Sequence, residues 1–394
     1  MFKRKLQQKM LSLAEKFQVI TLTGPRQSGK TTLVQATFPN LPYVSLEEPD
    51  IRQIALTDPR GFLANYTEGA VLDEVQHTPE LFSYIQSLVD GDRNIQFVLT
   101  GSSNFLLMEK ISQTLAGRTA ILHLLPFSIA ELKPNIPAFE RYESLIYKGQ
   151  YPRIYDREIA PRDFYPSYIQ TYVEKDVRLM KNIGNINTFI RFVQLCAGRT
   201  GQLVNYAGLA SDAGISPNTA KAWLSILESS YIVYQLAPYH RNFNKRIVKS
   251  SKLYFYDTGL ACSLLGIRDE EQVALHYMKG ALFENLVINE FIKASIHRGE
   301  QPKTYFWQNN QGKEIDCLLV DGEKALPIEI KAGKTMSNSY FTNLQYWRKL
   351  AGAPDDYGHV VYGGEQTLKT SYGQFTSWRD LETLEISKGK SLSL

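Results

Sequence analysis

The residues from Gly24 to Thr31, GPRQSGKT, have types and a spacing that suit the binding of a phosphate chain. The two glycines allow backbone N–H groups to turn towards phosphate oxygens, and the next segment, KTTLVQATF, has the period of a helix, whose N-terminal end is positive. Lys30 can then reach the β- and γ-phosphates, and the Thr31 hydroxyl can be a ligand of Mg²⁺. The pattern is that of a P-loop (Walker A) motif, the alternative being a chance match in a turn. The predicted nucleotide-binding residues are Gly24, Pro25, Arg26, Gln27, Ser28, Gly29, Lys30, Thr31 and Thr32.

An acidic pair, Asp73 and Glu74, follows the apolar run AVL further along the chain. Asp73 at the end of a predicted strand is placed to hold the Mg²⁺ shell, and Glu74 can polarise the attacking water. Arg118 is either a surface arginine or an arginine finger on the nucleotide of a neighbouring subunit. A third predicted strand, IQFVLTG, ends in polar residues that could sense a γ-phosphate or cap a turn. These residues are Thr100, Ser102, Ser103 and Asn104.

A second group of chemically competent residues lies in the last third of the chain. Glu329 and Lys331 are two apart on the predicted strand PIEIK and therefore share a face. Asp316 lies on the preceding strand, EIDCLLV, and Glu284 lies in the first turns of an amphipathic helix, KGALFENLVINEFIKASI. Convergence of these side chains would form a divalent-metal site of oxygen ligands, with the lysine stabilising charge or orienting water. The alternative is an edge strand that alternating charges protect.

The elements that position these residues must belong to more than one domain, because 394 residues exceed one ordinary core. A hydrophobic content of 43% with 21% charged residues is typical of a globular protein, and a net charge of +4 does not by itself imply a nucleic-acid partner. The three cysteines lack metal-site spacing and are expected to be reduced. The first 17 residues predict an amphipathic helix rather than a signal peptide. With no run long enough for a transmembrane helix, we expect no membrane partner and a cytoplasmic location.

The middle of the chain predicts a helix-turn-helix in NYAGLASDAGISPNTAKAWLSILESSYIVYQL. Asn205 can cap its first helix, and Ser216 with Pro217 can begin the second. The next stretch, YHRNFNKRIVKSSKLYFYD, is typical of a β-hairpin wing that contacts the DNA backbone or serves only in packing. Lys221 is the one cation expected on the second helix, which argues against sequence-specific reading of bases. The basic residues of the wing are Arg241, Lys245, Arg246, Lys249 and Lys252.

Taken together, TGPRQSGKTTL, VLDEVQ, LTGSSN, LAGR and PFSIAEL resemble the AAA-type ATPase domain of a bacterial and archaeal family with a C-terminal domain of the DUF4143 type. The resemblance spans nearly the whole chain. It implies a P-loop sheet with helices on both faces, ATP with Mg²⁺ as cofactors, and a ring or pair of identical chains. The last third resembles PD-(D/E)xK nucleases, with Asp316, Glu329 and Lys331 as the core triad and Glu284 as the helical acid, although no proline precedes Asp316.

We therefore predict an α/β protein with four parts. These are an AAA-type P-loop ATPase domain (1–132), a helical linker or lid (133–185), a winged-helix domain (186–262) and a restriction-endonuclease-like, PD-(D/E)xK nuclease-like domain (263–394). The predicted catalytic residues are Glu74, Lys30, Arg118 and Lys331. The predicted metal ligands are Thr31, Asp73, Glu284, Asp316 and Glu329.

The predicted function is Mg-dependent ATP hydrolysis coupled to a DNA-directed module, which could act as a nuclease on branched, single-stranded or duplex DNA. The alternative is a nucleotide-controlled switch or protein-interaction ATPase whose nuclease-like domain catalyses nothing, because folds of this kind also persist as binding domains.

Overall fold

The computed structural model describes residues 2–92, 94–101, 114–136, 141–173, 185–240 and 249–384. The strands in these ranges are β1 Val19–Thr23, β2 Tyr43–Ser45, β3 Gly69–Asp73, β4 Gln96–Gly101, β5 Thr119–His123, β6 Val233–Leu236, β7 Lys252–Phe255, β8 Thr304–Gln308, β9 Glu314–Asp321, β10 Lys324–Lys331, β11 His359–Tyr362, β12 Leu368–Thr370 and β13 Gly373–Ser377.

The α-helices are α1 Leu6–Ala14, α2 Lys30–Thr37, α3 Pro49–Thr57, α4 Pro59–Ala64, α5 Leu81–Gly91, α6 Ile129–Leu132, α7 Tyr142–Lys148, α8 Pro152–Asp156, α9 Pro161–Tyr168, α10 Ile186–Ala197, α11 Tyr206–Ala213, α12 Pro217–Ser229, α13 Thr258–Leu264, α14 Glu270–Leu275, α15 Lys279–His297 and α16 Thr342–Ala351. Short 3₁₀ turns cover Val75–His77, Asn338–Phe341 and Trp378–Thr383, and a π turn covers Ile169–Val173.

The N-terminal part is built on a five-stranded sheet in the order β2-β3-β4-β1-β5, in which every neighbouring pair is parallel. Strands β1 and β3 are buried along their whole length, as expected of parallel strands that helices cover on both faces. Leu6 and Met10 of α1 pack with α2 on one face, and Phe82 and Ile85 of α5 pack on the other. The predicted first helix, α/β class and parallel P-loop sheet are therefore confirmed.

The middle part contains the three helices α10, α11 and α12, followed by the antiparallel pair β6 and β7. Asn205 accepts a hydrogen bond from the Gly208 N–H, and Ser216 accepts one from the Thr219 N–H, so both predicted N-caps are confirmed. Pro217 begins α12. Three of the predicted basic wing residues, Arg241, Lys245 and Arg246, lie outside the described residues, as do Ser102, Ser103 and Asn104.

The C-terminal part is a six-stranded mixed sheet in the order β12-β13-β11-β10-β9-β8. The meander β8-β9-β10 is antiparallel, and β10 then pairs in parallel with β11 after the crossover through α16. Because β10 lies between β9 and β11, the predicted edge-strand alternative for PIEIK is wrong. One apolar core contains Leu125, buried residues of the middle helices and residues of strands β8 to β11 of this sheet. Among the described residues, no helix is long and apolar enough to cross a membrane.

Candidate functional site

The P-loop curls tightly between β1 and α2. Gly24 has a φ of +151°, and a Cβ there would lie 2.2 Å from the carbonyl oxygen of Leu124, so the close approach of the two chains requires glycine. Gln27 (φ 61°) and Gly29 (φ 90°) also lie in the left-handed region, which turns successive backbone N–H groups to one side and forms an anion-binding concavity. The Ser28 hydroxyl is buried and has no hydrogen-bond partner among the described residues.

Lys30 is nearly buried and closes the loop on itself. Its Nζ donates hydrogen bonds to the carbonyl oxygens of Gly24 (3.0 Å) and Pro25 (2.9 Å). A lysine in this position can serve as a phosphate ligand, because its ammonium group can exchange these carbonyl oxygens for phosphate oxygens.

Asp73 is the centre of the hydrogen bonds at the carboxyl edge of the sheet, where β1, β3 and β4 end side by side. The Thr31 hydroxyl donates to its Oδ2 at 2.8 Å, and the Thr100 hydroxyl donates to its Oδ1. The Tyr43 hydroxyl also donates to Oδ2, at 2.6 Å. The structure therefore brings together the two residues that were predicted to hold Mg²⁺, Thr31 and Asp73, and places Thr100 beside them.

Tyr43 was missed by sequence reasoning. Burial raises the pKa of its hydroxyl, and the hydrogen bond to Asp73 raises that pKa further, so the group remains a donor to the carboxylate. The signal was weak, because Tyr43 begins the short strand β2, and only the pairing of β2 with β3 places it near Asp73.

Glu74 follows directly at the end of β3 and is half-buried. Its backbone is in the left-handed region (φ 55°), an uncommon conformation for a glutamate, and it starts the turn Val75–His77. The Gln76 side-chain amide donates a hydrogen bond to the Glu74 carboxylate. Gln76 thus holds the Glu74 carboxylate next to the end of β3, the strand whose last residue is Asp73.

Arg118 lies at the amino ends of the strands of this sheet, opposite the carboxyl ends where the P-loop lies. It precedes β5, whose first residue pairs with Val19 at the start of β1, whereas the P-loop follows Thr23 at the end of β1. Its guanidinium binds both carboxylate oxygens of Asp90 on α5, at 2.6 and 2.9 Å. The five residues of β1 separate the two ends of the sheet by roughly 16 Å. Arg118 is therefore too far from the P-loop of its own chain to contact a nucleotide there.

The C-terminal sheet brings Asp316, Glu329 and Lys331 together, as the spacing predicted. Lys331 Nζ lies 3.0 Å from Asp316 Oδ2 and 2.7 Å from Glu329 Oε2. The Ile330 N–H also donates to Asp316 Oδ2, at 2.7 Å, because β9 and β10 are adjacent. Burial opposes the charged form of Lys331, but Asp316 and Glu329 outweigh it and hold the lysine pKa above its ordinary value.

Glu284 on α15 forms an ion pair with Lys252, a residue that the sequence assigned to the predicted β-hairpin wing. Lys252 Nζ lies 3.3 Å from Glu284 Oε1 and also pairs with Glu314, the first residue of β9. The Tyr254 hydroxyl donates to Glu284 as well. Lys252 is only 4% exposed, so of the two alternatives for the wing, contact with DNA and packing, packing holds for this residue. Lys252 and Tyr254 alternate on β7 and share a face, a period-2 signal that could have grouped them.

The ammonium groups of Lys252 and Lys331 thus neutralise much of the charge of the nearby carboxylates. These carboxylates are those of Glu284, Glu314, Asp316 and Glu329. Burial raises the pKa of Glu284 to about 7, an effect that Lys252 opposes and Asp316 reinforces. Burial and the nearby Asp316 also raise the pKa of Glu329 well above its ordinary value. In the described part of the chain, no three His, Cys, Asp or Glu side chains are grouped so that they could hold a metal ion. As placed, the predicted C-terminal ligands do not fit a metal.

Comparison with known families divides the chain into three matches. The family described as "AAA domain" matches residues 16–133. A domain of unknown function, DUF8612, matches residues 139–271, and a second, DUF4143, matches residues 279–381.

Similar proteins occur in bacteria and archaea. The uncharacterized protein Rv2008c of Mycobacterium tuberculosis is 29% identical over 365 residues, which cover 90% of this chain and 78% of that protein. The uncharacterized protein MJ1544 of Methanocaldococcus jannaschii is 23% identical over 334 residues, covering 77% and 72% of the two chains. Among solved structures, a Walker-type ATPase of Pyrococcus abyssi is 16% identical with a TM-score of 0.45, and the match covers 67% of this chain and 96% of the other. The chain therefore contains an AAA domain followed by a C-terminal DUF4143 domain, the combination that its sequence predicted.

Proposed function

We propose that the N-terminal domain binds and hydrolyses Mg·ATP, and that the nucleotide state controls the middle and C-terminal parts of the chain. The observation that carries this proposal is the hydrogen bond of 2.8 Å between the Thr31 hydroxyl and Asp73, next to a P-loop whose buried Ser28 hydroxyl has no hydrogen-bond partner in the described part of the chain. The match of residues 16–133 to the AAA domain supports it.

The residues of the P-loop edge divide the chemistry of phosphoryl transfer between them. Backbone N–H groups of the loop and Lys30 bind the phosphate oxygens, and Lys30 gives up its carbonyl partners when it does so. Thr31 and Asp73 would hold Mg²⁺, which shields the charge of the phosphates. Glu74 orients the attacking water and takes its proton, while the Thr100 hydroxyl fixes the Asp73 carboxylate.

Arg118 contributes to hydrolysis only between chains in this proposal. It must exchange Asp90 for the γ-phosphate of a neighbouring subunit, so the proposal includes assembly of identical chains. The plain alternative is that the Arg118–Asp90 pair is a surface contact of the domain.

Substitution of Glu74 tests the hydrolytic role. We expect Glu74→Gln to bind ATP like the wild type but to hydrolyse it at least roughly a hundredfold more slowly, because the general base is lost and the shape is kept. Glu80→Gln, at an exposed position before α5, is the matched control and should keep the full rate. Equal hydrolysis by the two variants would exclude Glu74 as the base.

A second candidate function is DNA cleavage by the C-terminal part, which would require Asp316 and Glu329 to exchange Lys331 for a metal ion. One observation favours it: Glu329 Oε1 is buried without a hydrogen-bond partner among the described residues. The sheet order, with a β8-β9-β10 meander and a crossover to β11, supports the nuclease-like fold. The lysines between the carboxylates favour the other reading, in which this domain binds a partner and cleaves nothing.

Two measurements separate these readings. Cleavage of branched, single-stranded or duplex DNA that disappears in Asp316→Ala would establish the nuclease, and cleavage that survives would reject these residues as catalytic. DNA binding that weakens steeply with salt would support the winged-helix contact with the phosphate backbone, whereas no binding even at low salt favours a protein partner.

A further inference from the structure

The start of the P-loop is tied to the middle part of the chain by one tyrosine. Tyr231 lies between α12 and β6, and its hydroxyl is 2.8 Å from the Thr23 hydroxyl and 2.9 Å from Nδ1 of His123. Thr23 and His123 are themselves 2.7 Å apart, so the three side chains close a triangle of hydrogen bonds. Thr23 is the last residue of β1, and Gly24 of the P-loop is next to it.

Tyr231 has an unfavourable backbone conformation at this point. Its φ of 56° is left-handed, which is uncommon and unfavourable for an aromatic residue. Such a conformation persists where its surroundings determine it, and here the buried ring packs against Tyr256 while the hydroxyl reaches the end of β1. The strained residue is therefore the one that joins the middle part to the nucleotide loop.

The end of the P-loop is held by an arginine that precedes α1. Arg4 Nη1 donates to the Ser28 carbonyl at 2.8 Å, Nη2 donates to the Leu125 carbonyl at 2.7 Å, and Nε pairs with Glu131 at 3.0 Å. Its guanidinium also lies 4.7 Å from the centre of the Phe127 ring. All three donor directions are used in a site that is almost fully buried, an arrangement that lysine cannot reproduce.

Glu131, the partner of Arg4, is itself fixed. Its carboxylate accepts hydrogen bonds from the backbone N–H groups of Lys5 (2.8 Å) and Ser128 (2.9 Å), the second as part of a capping box on α6. Burial opposes its ionisation, but Arg4 and these N–H groups outweigh that effect and keep the pKa of Glu131 below its ordinary value.

We infer that Tyr231 and Arg4 are positioning residues for the nucleotide, since they fix the two ends of the loop from Gly24 to Gly29 from outside the parallel sheet. The inference rests on the proposed ATP-binding function. Neither side chain needs to touch the nucleotide. By holding Thr23 and the Ser28 carbonyl, they keep the loop N–H groups aimed at one point and reduce the ordering that ATP binding must accomplish. Docking of the middle part through Tyr231 is thereby a condition for tight ATP binding.

Removal of the Tyr231 hydroxyl tests this in the full-length protein. We expect Tyr231→Phe to weaken ATP binding by about fivefold, the effect of one lost hydrogen bond, and to raise KM for ATP while kcat changes little. The matched control is Tyr234→Phe, which removes a buried hydroxyl that donates to Asn289 at 2.9 Å and does not contact the loop. The control should lose similar thermal stability but keep wild-type ATP affinity.

Substitutions of Thr23 and Arg4 keep the test decisive if Tyr231→Phe folds poorly. Thr23→Val removes the partner hydroxyl, and because both residues belong to one triangle of hydrogen bonds, the double variant with Tyr231→Phe should weaken ATP binding by less than the product of the two single effects. Arg4→Met should weaken ATP binding more than Arg4→Lys, because lysine keeps the positive charge but not the three donor directions of the guanidinium.

The results of these experiments separate the positioning role of Tyr231 and Arg4 from ATP binding itself. Wild-type ATP affinity in Tyr231→Phe and Arg4→Met would overturn the positioning role and leave ATP binding intact. A wild-type protein that neither binds nor hydrolyses ATP would overturn both. Equal losses of affinity in Tyr231→Phe and Tyr234→Phe would also contradict the inference, because they would show general loosening.

Discussion

Lys252 comes from strand β7 of the middle part, and its ammonium group contacts the carboxylates of Glu284 and Glu314, which the C-terminal part supplies. A sequence reading treats such a lysine as exposed because it follows a run of basic residues. The fold instead buries it among acids, since β7 lies against α15. Period-2 spacing placed Glu329 and Lys331 on one face, and the resemblance to PD-(D/E)xK nucleases added Asp316. Lys252 could not be added to this triad, because its proximity depends on how two segments dock.

Removal of this lysine should destabilise the protein. Lys252→Met leaves the half-buried carboxylates of Glu284 and Glu314 without their cation, and at about pH 8 we expect the free energy of unfolding to fall by about 3 kcal/mol. Lys249→Met, at an exposed position on the same segment, is the control and should change stability little. Denaturant unfolding measures both. Equal stabilities would show that Lys252 is not a buried partner of the acids.

His297 should make stability depend on pH. Burial lowers its pKa from the ordinary 6.5 to about 4, against the opposing effect of Glu131, so the folded protein keeps the imidazole neutral. Below about pH 6.5 the unfolded chain binds a proton that the folded chain does not, and the free energy of unfolding should fall by up to about 3 kcal/mol as the pH drops towards 4. His297→Gln should flatten this part of the profile in urea unfolding. Parallel profiles for the two proteins would contradict the expectation.

At the scale of elements, the strand–loop–helix unit β1, P-loop and α2 was predictable because its signals are local: an apolar run, glycines at fixed spacing and a helical period. The caps of α11 and α12 were local signals too. The strand order was not, since the insertion of β4 between β1 and β3 is a long-range pairing. That order places Thr100 beside Asp73, and together with the short strand β2 it explains why Tyr43 was missed.

Gly24 should tolerate no side chain. Gly24→Ala would place a Cβ 2.2 Å from the Leu124 carbonyl and would strain a φ of +151°, so we expect loss of ATP binding and lower stability. Gly91→Ala, at the end of α5 with nothing within 4 Å of the new Cβ, is the matched control and should be neutral or slightly stabilising. Thermal unfolding with and without ATP compares the two. Normal ATP binding by Gly24→Ala would contradict the loop geometry.

At the scale of the whole molecule, the parts after the P-loop sheet share one core. Twelve of the nineteen residues of α15 are buried, more than a helix with a single covered face would bury. Two of its polar side chains form hydrogen bonds to other parts of the chain. Asn285 pairs with the backbone of Phe255 in β7, and Glu290 accepts a hydrogen bond from the Ile129 N–H of α6. Composition and motifs predicted several domains, but they could not show that α15 is shared between them.

The DUF4143 part should therefore not fold by itself. A fragment of residues 279–394 would expose the middle-facing side of α15 and should unfold without a cooperative transition, whereas a fragment of residues 125–394 keeps the shared core and should unfold cooperatively. Circular dichroism during heating distinguishes the two. A sharp transition in the shorter fragment would show that it is an independent domain.

The central claim, that the P-loop site hydrolyses ATP, is tested most directly by phosphate release from ATP by the purified chain and its Lys30→Ala variant. The account predicts release by the wild type that requires Mg²⁺ and stops when the metal is chelated, and none above background by Lys30→Ala, because the phosphate-binding ammonium group is gone. Full activity in Lys30→Ala, or no release by the wild type, would contradict it.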